Sequence, residues 1–170
     1  MMKRKKAFTL VEMLAVIAVV GIITAGSYMS LNRTWRNNQT DICESDLRSL
    51  SGGFSSYFVD YGNIVIPNDI NYNNVLDGVV NTLNRSYLSN EIVVTAISSD
   101  KKNVELTTKT KKDPWGNKYV IDVYTYNGAD KESVPGLVII YSKGVDGVSS
   151  LSNYKNGNYG DDVVAVVEPK

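Results

Sequence analysis

The sequence contains no histidine, and cysteine occurs once, as Cys43. Without histidine the chain cannot form a Ser-His-Asp or Cys-His triad or an imidazole metal site. A single cysteine excludes an intramolecular disulfide and a zinc site built from several thiolates. Proline is also scarce, with four residues in 170. We find no phosphate-binding loop, dinucleotide-binding glycines or paired catalytic carboxylates, so we predict neither an enzyme nor an organic cofactor.

The overall composition is that of a folded protein. Of the 170 residues, 43% are hydrophobic and 21% are charged, with 18 basic and 18 acidic side chains. This length favours one domain with an appendage, and it allows a sizeable hydrophobic core. The averages conceal an uneven distribution, because basic charge and apolar residues are concentrated at the amino terminus.

Four consecutive basic residues, at positions 3–6, precede an apolar segment over residues 8–29 whose only charge is Glu12. As a helix these 22 residues span about 33 Å, enough to cross a hydrocarbon core of about 30 Å. The positive-inside rule keeps the basic block cytoplasmic and places the rest of the chain outside. We therefore predict one membrane span followed by an exported domain.

Three interpretations of this segment compete. A secretory signal peptide needs a small-residue cleavage site after the apolar run, which Ala25-Gly26-Ser27 could supply. A plain membrane anchor explains the length but not Glu12. A lone carboxylate within a span costs about 2.5–3.5 kcal/mol on insertion scales, so it indicates a functional site.

The third interpretation is a resemblance carried by the run KKAFTLVEMLAVIAVVGI. It resembles the class III leader of type IV pilins and type II secretion pseudopilins. The resemblance implies that a prepilin peptidase cuts between Ala7 and Phe8 and that the new amino group of Phe8 is methylated. The resemblance also implies that Glu12 becomes the fifth mature residue and that it pairs with the Phe8 amine of a neighbouring subunit during filament assembly. Ala7 departs from the family, which usually has glycine there.

Helical periodicity continues past the apolar segment and predicts one long helix over residues 8–62, of which 8–29 form the membrane or filament-core part. The predicted apolar stripe consists of Trp35, Ile42, Leu47, Leu50, Phe54, Phe58 and Tyr61. Cys43 is one residue off this stripe, which predicts a structural thiol at the edge of the core.

Residues 63–170 are predicted to form a globular α+β head. A second helix is expected from Asn74, as its cap, to Leu88. Strands are expected at Ile92–Ile97, Val104–Lys109, Tyr119–Tyr126, Leu137–Ser142 and Val163–Val167. A long helix followed by strands predicts a small antiparallel sheet packed on that helix. With the family resemblance, this is the lollipop shape of a pilin.

The segment Asp113-Pro114-Trp115-Gly116-Asn117-Lys118-Tyr119 resembles the DPWGNPY-type turn of major pseudopilins. The residue types also predict a tight turn, because Pro114 fixes its φ and Gly116 can adopt a positive φ. We expect Trp115 to fill the core between sheet and helix, so the segment is interpreted as structural rather than catalytic.

A second head segment, YSKGVDG over residues 141–147, resembles the calcium loop of the same pseudopilins when taken with the later pair Asp161-Asp162. The resemblance implies a Ca²⁺ site with Asp146, Asp161 and Asp162 as ligands, and Ca²⁺ accepts six to eight oxygen ligands in irregular loops. The alternative is a pair of Gly-Asp turns with solvated carboxylates. The basic run at 109–112 is interpreted as a solvated turn, and DNA binding is not indicated.

The resemblance implies a structural subunit that sits in the inner or cytoplasmic membrane before assembly and in a surface or extracellular filament afterwards. The expected partners are copies of the chain, a prepilin peptidase, an inner-membrane assembly platform, minor pilins and the lipid bilayer. The two head segments favour a secretion or competence pseudopilin. An Asn-rich composition with 13 Lys against 5 Arg indicates an AT-rich genome and favours a type IV pilus. A binding module on an ordinary single-span anchor is the less favoured alternative.

Overall fold

The computed structural model describes residues 9–62, 72–97, 103–124, 137–149 and 159–168. Helix α1 covers Leu10–Tyr61, and helix α2 covers Tyr72–Thr82 and continues into a π-helical turn at Leu83–Tyr87. The strands are β1 (Ile92–Ile97), β2 (Asn103–Lys112), β3 (Lys118–Tyr124), β4 (Val138–Ser142) and β5 (Val163–Val167). The predicted α+β architecture, with a long amino-terminal helix followed by an antiparallel sheet, is confirmed.

The chain divides into two compact units, Met1–Asn38 and Gln39–Lys170, and the division falls within α1. In the first unit, residues 10–29 of α1 are mostly apolar and all exposed, and no residue in the most apolar stretch of the helix is buried. By length and composition this helix can cross a membrane, a property it shares with signal sequences. The domain boundaries predicted at residues 7 and 62 stay predictions.

The sheet in the second unit is a simple meander. The strands lie in the order β1-β2-β3-β4-β5, and every neighbouring pair is antiparallel. A bulge interrupts β1 between Val94 and Ala96, and the β2–β3 register shifts between Thr107 and Lys112. Consecutive strands that pair directly need only short-range connections, which suits a small domain.

The main core forms between the second-unit part of α1 and one face of this sheet. The helix contributes Cys43, Leu47, Leu50, Phe54, Tyr57 and Phe58, and β3 contributes Tyr119, Ile121 and Val123. The predicted stripe is thus confirmed from Leu47 to Phe58 and wrong at its ends. Cys43 lies four residues before Leu47 and is completely buried, whereas Ile42 is 47% exposed. Trp35 and Tyr61 are also exposed, at 70% and 61%.

The opposite face of the sheet also carries a buried apolar cluster, which the sequence did not predict. Its buried members are Val120, Leu137, Ile139 and Tyr141. Strand β4 is therefore buried on both faces along its whole length. The sequence of a strand that is buried on both faces is continuously apolar and does not alternate with polar residues. The sequence VIIYS of β4 fits this pattern.

Several predicted boundaries differ from the observed ones. Helix α2 begins at Tyr72, so Asn74 already has helical backbone and is not the cap. Strand β2 continues to Lys112, because Lys112 pairs with Lys118 across the β2–β3 turn; the basic run at 109–112 is strand rather than turn. The last two residues of the strand predicted at Tyr119–Tyr126 lie outside the described residues.

Candidate functional site

The amino-terminal site begins with a reciprocal pair of hydrogen bonds at the start of α1. The Thr9 amide donates to Glu12 Oε2 at 2.9 Å, and the Glu12 amide donates to Thr9 Oγ1 at 3.3 Å. The Thr9 hydroxyl also donates to Glu12 Oε2, at 3.0 Å. This is a capping box, in which residues three apart satisfy two of the amide groups that a helix start leaves unpaired.

The capping box gives Glu12 a local role that sequence reasoning missed. The T-x-x-E pattern directly before an apolar run was the available signal. Ala7 and Phe8, the predicted processing residues, lie outside the described residues. The predicted pairing of Glu12 with a Phe8 amine therefore stays a prediction, and Glu12 has Thr9 as its partner within the single chain.

Hydroxyl groups further along this apolar helix are satisfied by the helix itself. Ser27 Oγ donates to the Ile23 carbonyl at 2.9 Å, and Thr24 Oγ1 donates to the Val20 carbonyl. Thr34 Oγ1 bonds the Ser30 carbonyl at 3.0 Å. Such bonds to the preceding turn satisfy these three hydroxyl protons without water. The helix can therefore be surrounded by lipid or by other helices.

The DPWGN segment in the head is a turn organised by the Asp113 side chain. Asp113 Oδ1 accepts the amides of Trp115 at 3.1 Å and Asn117 at 2.7 Å. A backbone hydrogen bond also closes the turn: the Asp113 amide donates to the Asn117 carbonyl at 2.8 Å. Gly116 has a φ of 96°, which a side chain would disfavour. Trp115 is partly buried and packs against the main core.

This turn is bonded directly to the loop that follows β4. Ser142 Oγ donates to Asp113 Oδ2 at 2.5 Å and accepts the Gly144 amide at 3.1 Å. Asn117 Nδ2 donates to the Gly144 carbonyl at 3.1 Å. The two segments that resemble pseudopilins therefore form one hydrogen-bonded structure. Sequence reasoning identified both segments but not Ser142 and Asn117 as the residues that join them.

The predicted calcium ligands lie at the far side of this loop. Asp161 Oδ2 accepts the amides of Val145 at 2.8 Å and Asp146 at 3.2 Å, and Asp146 Oδ1 accepts the Val148 amide at 2.7 Å. Asp162 is buried, and its amide donates to the Tyr159 carbonyl at 2.9 Å. Gly144 has a φ of 59°, and a Cβ there would lie 2.6 Å from Asp161 Oδ2.

Asp161 thus closes the loop by facing two backbone N–H groups. Within the described part of the chain, no three carboxylate, cysteine or histidine side chains are grouped to hold a metal ion. These residues alone do not supply the six to eight oxygens that Ca²⁺ takes. Residues 150–158, between the two halves of the predicted site, lie outside the described residues, so calcium stays a prediction.

A second polar cluster joins α1 to the sheet. Tyr119 is completely buried, and its hydroxyl donates to Asp46 Oδ2 at 2.9 Å, while Lys111 Nζ lies 3.0 Å from Asp46 Oδ1. Burial and the bond to Asp46 raise the pKa of Tyr119, so the phenol stays protonated as a donor. Burial also raises the pKa of the Cys43 thiol, which keeps it unreactive near neutral pH.

Two carboxylates face each other across the outer side of the sheet. Glu105 of β2 pairs in register with Asp122 of β3. Burial, followed by the charge of Glu105, raises the pKa of Asp122 to about 6, and Lys143 partly opposes this shift. The pKa of the neighbouring Tyr141 is raised to about 12, mainly by burial and then by Asp122.

Comparison with known protein families places one motif on this chain. The family described as the prokaryotic N-terminal methylation motif matches residues 2–28. The match covers the basic block, the predicted cleavage position, the capping box and most of the apolar segment. Searches of curated proteins and of solved structures found no match for the chain. The motif supports a type IV pilin-like or pseudopilin protein, a class that is generally structural.

Proposed function

We propose that this chain is a pilin, a structural subunit of a type IV pilus-like filament. A prepilin peptidase cuts it between Ala7 and Phe8, and it assembles through its amino-terminal helix. The observation that carries the proposal is the methylation motif over residues 2–28 on a helix whose apolar surface is exposed. A signal peptidase cut after the apolar run would discard that helix, whereas a cut before it retains the helix for assembly.

The exposed helix explains how one segment can serve in two environments. In the membrane, its apolar side chains contact lipid, and the hydroxyls of Thr24, Ser27 and Thr34 are bonded to the backbone of the preceding turn. In a filament, the same surface is covered by the helices of neighbouring subunits, delivered by an inner-membrane assembly platform and initiated by minor pilins.

A major pseudopilin of a secretion or competence system is the second candidate. It is favoured by the bond between Ser142 and Asp113, which joins the two head segments that resemble pseudopilins. Both candidates share processing and assembly, and they differ in the machinery that uses the filament. Neighbouring genes for a secretion system or for a pilus retraction ATPase would distinguish them.

The test is mass spectrometry of the protein isolated from cells that carry a prepilin peptidase, with peptidase-deficient cells as the control. We expect a mature terminus at N-methylated Phe8, and the unprocessed chain in the control. An intact leader in both strains would contradict the proposal and support the membrane-anchored binding module. A terminus just after residues 25–27 would instead identify a secretory signal peptide.

Calcium binding is a separate proposal for the same protein, resting on the resemblance of the loop at 141–147. If Ca²⁺ holds this loop against Asp161, a chelator lowers the melting temperature of the full chain in detergent, and added Ca²⁺ restores it. An Asp161→Asn variant would lose that response. An unchanged melting temperature would contradict calcium binding, and the loop would then be held by hydrogen bonds such as those of Asp161.

A further inference from the structure

A shallow groove lies on the surface of α1 around the end of its apolar segment, and all of its lining belongs to the first compact unit. We call it the exit groove, and its members are Tyr28, Met29, Asn32, Arg33, Arg36 and Asn37. Positions 29, 32, 33 and 36 are three, four and seven residues apart, so their side chains are neighbours on one side of the helix. The exit groove is therefore a depression on a single helix face.

The exit groove changes from apolar to polar along the helix axis. Tyr28 and Met29 are at the end nearer the apolar segment and are 71% and 76% exposed. The amide side chains of Asn32 and Asn37 and the guanidinium of Arg33 follow further along the helix. A ligand that fits this surface has an apolar part next to a group that carries negative charge and accepts hydrogen bonds.

The chain does not balance the charge of Arg33. The sequence has no acidic residue between Glu12 and Asp41, so none is three or four positions from Arg33 on the helix. Arg33 is exposed and forms no ion pair with any residue that the structure describes. Arg36 lines the same groove but has an interaction of its own. Arg33 is therefore the guanidinium that an anionic ligand would meet.

The position of Arg33 along α1 identifies its surroundings. The apolar segment at 8–29 is long enough to cross the hydrocarbon core, and Arg33 follows four residues later, about 6 Å along the helix. The headgroup layer is about 5–7 Å thick on each side of a membrane. Arg33 thus reaches the phosphates of the leaflet opposite the basic block at 3–6. Because positive charge is normally concentrated on the cytoplasmic side, an unpaired arginine on the outer side indicates a function there.

The aromatic residues near the groove fit the same environment. Tyr28 and Trp35 are seven positions apart, on the same side of α1, and they are 71% and 70% exposed. Tyrosine and tryptophan concentrate at the boundary between hydrocarbon and water, where the apolar ring and the polar tip are both satisfied. This position explains why Trp35 lies outside the core stripe in which it was predicted.

We propose that the exit groove binds the phosphate headgroup of a membrane phospholipid. The Arg33 guanidinium and the Asn32 amide donate to the phosphate oxygens, while Tyr28 and Met29 contact the glycerol and the upper part of an acyl chain. Arginine suits this ligand because its planar fork matches two phosphate oxygens and its charge strengthens both hydrogen bonds. The inference rests on the part of the proposed function that places α1 in the membrane before assembly.

Native mass spectrometry of the full chain in detergent, with phosphatidylglycerol as the added lipid, tests the site. We expect the wild-type chain to retain one lipid molecule and Arg33→Gln to bind it roughly tenfold more weakly, because the charge-assisted bonds to phosphate are lost. Asn32→Ala should weaken binding by a smaller factor. Arg48→Gln is the matched control, since it removes the same charge from a side chain of α1 that is 82% exposed, and it should bind like the wild type.

Two further ligands identify the chemistry that the groove recognises. Diacylglycerol has the same acyl chains without a phosphate, and the wild-type chain should bind it no more tightly than Arg33→Gln does. Inorganic phosphate has the charge without the acyl chains, and it should not displace bound phosphatidylglycerol, because it makes no contact with Tyr28 and Met29. Displacement would identify a site for free anions and contradict a lipid site.

Equal losses of binding in Arg33→Gln and Arg48→Gln would assign lipid retention to overall charge and overturn the inference. Equal retention of diacylglycerol and phosphatidylglycerol by the wild-type chain would also overturn it, because the contact would then be apolar alone. Failure of the proposed function gives a different result. The precursor and the mature chain both contain the exit groove, so a chain that is never cut at Phe8 still binds the lipid. A chain that is cut at Phe8 and retains no lipid would overturn this inference alone.

Discussion

Asp122 shows how a single side chain can make the stability of the head depend on pH. It lies directly opposite Glu105 in the β2–β3 register, and like charges in that position are destabilising. Burial and Glu105 together raise its pKa from 3.8 to about 6. Among the described residues, Lys143 lowers its pKa and the Tyr141 phenol responds to its charge.

Because the folded-state pKa is raised, the folded protein binds a proton more readily than the unfolded chain between about pH 4 and pH 6. The unfolding free energy should therefore rise as the pH falls from 7 to 5, by roughly 1 kcal/mol after allowance for solvent screening. Denaturant melts of the full chain in detergent at both pH values measure this.

Asp122→Asn should give the same unfolding free energy at pH 5 and pH 7, and it should stabilise the head at pH 7. Glu105→Gln is the matched variant, and it should move the pH window lower, because it removes the second cause of the raised pKa. A pH dependence that persists in Asp122→Asn would show that another group is responsible.

At the scale of elements, two adjacent glycines of α1 differ in their surroundings: Gly53 is closely packed and Gly52 faces open space. A Cβ built at Gly53 would lie 2.5 Å from Leu88 Cδ2 and 2.7 Å from the Tyr87 carbonyl oxygen, whereas one at Gly52 meets nothing within 4 Å. Tyr87 ends the π-helical turn, and its carbonyl belongs to the backbone, so it cannot move aside as a side chain can. Gly53 is therefore where α1 and this turn approach closely.

We expect Gly53→Ala to destabilise the head by about 1–3 kcal/mol, because the overpacking outweighs the helical preference of alanine. Gly52→Ala, one residue away, should stabilise it by up to about 1 kcal/mol. The two unfolding free energies, measured side by side in detergent, test the close approach. Equal and favourable effects would mean that the turn can withdraw from α1 without cost.

The same elements show what periodicity can and cannot predict. The positions from Leu47 to Phe58 and the alternation of Tyr119, Ile121 and Val123 were predictable, because burial follows the repeat of the helix and the strand. The predicted stripe is one position off at its start, because Cys43 is buried there and the more apolar Ile42 is exposed. The π-helical turn and the cluster on the outer face of the sheet depend on tertiary packing, which no local pattern contains.

In the candidate site, too, contiguous motifs were predictable and contacts between distant residues were not. The leader, the DPWGN turn and the loop after β4 were recognisable because each is a contiguous run of residues. The bonds from Ser142 to Asp113 and from Asn117 to Gly144 join residues 29 and 27 positions apart, and only the fold reveals them. The capping box was local and could have been predicted from the T-x-x-E pattern.

At the scale of the whole molecule, Glu12 has one observed role and one proposed role, and a single substitution would not separate them. Its carboxylate caps α1 through Thr9, and the proposed assembly also needs its charge for the Phe8 amine of a neighbour. Glutamine keeps the capping box and loses the charge, whereas alanine loses both. Thr9→Val removes the hydroxyl side of the cap and leaves the charge.

We expect Glu12→Gln and Glu12→Ala to insert normally and to fail equally in assembly, and Thr9→Val to assemble at a reduced level. Because a neutral side chain removes the cost of a charge in the apolar environment, insertion should not suffer. Membrane fractionation measures insertion, and the filament yield relative to that fraction measures assembly. If Glu12→Gln assembled like the wild type while Glu12→Ala and Thr9→Val both failed, the helix cap would be the function of Glu12. The charge would then be dispensable, and the pairing between subunits would have to depend on other residues of the helix.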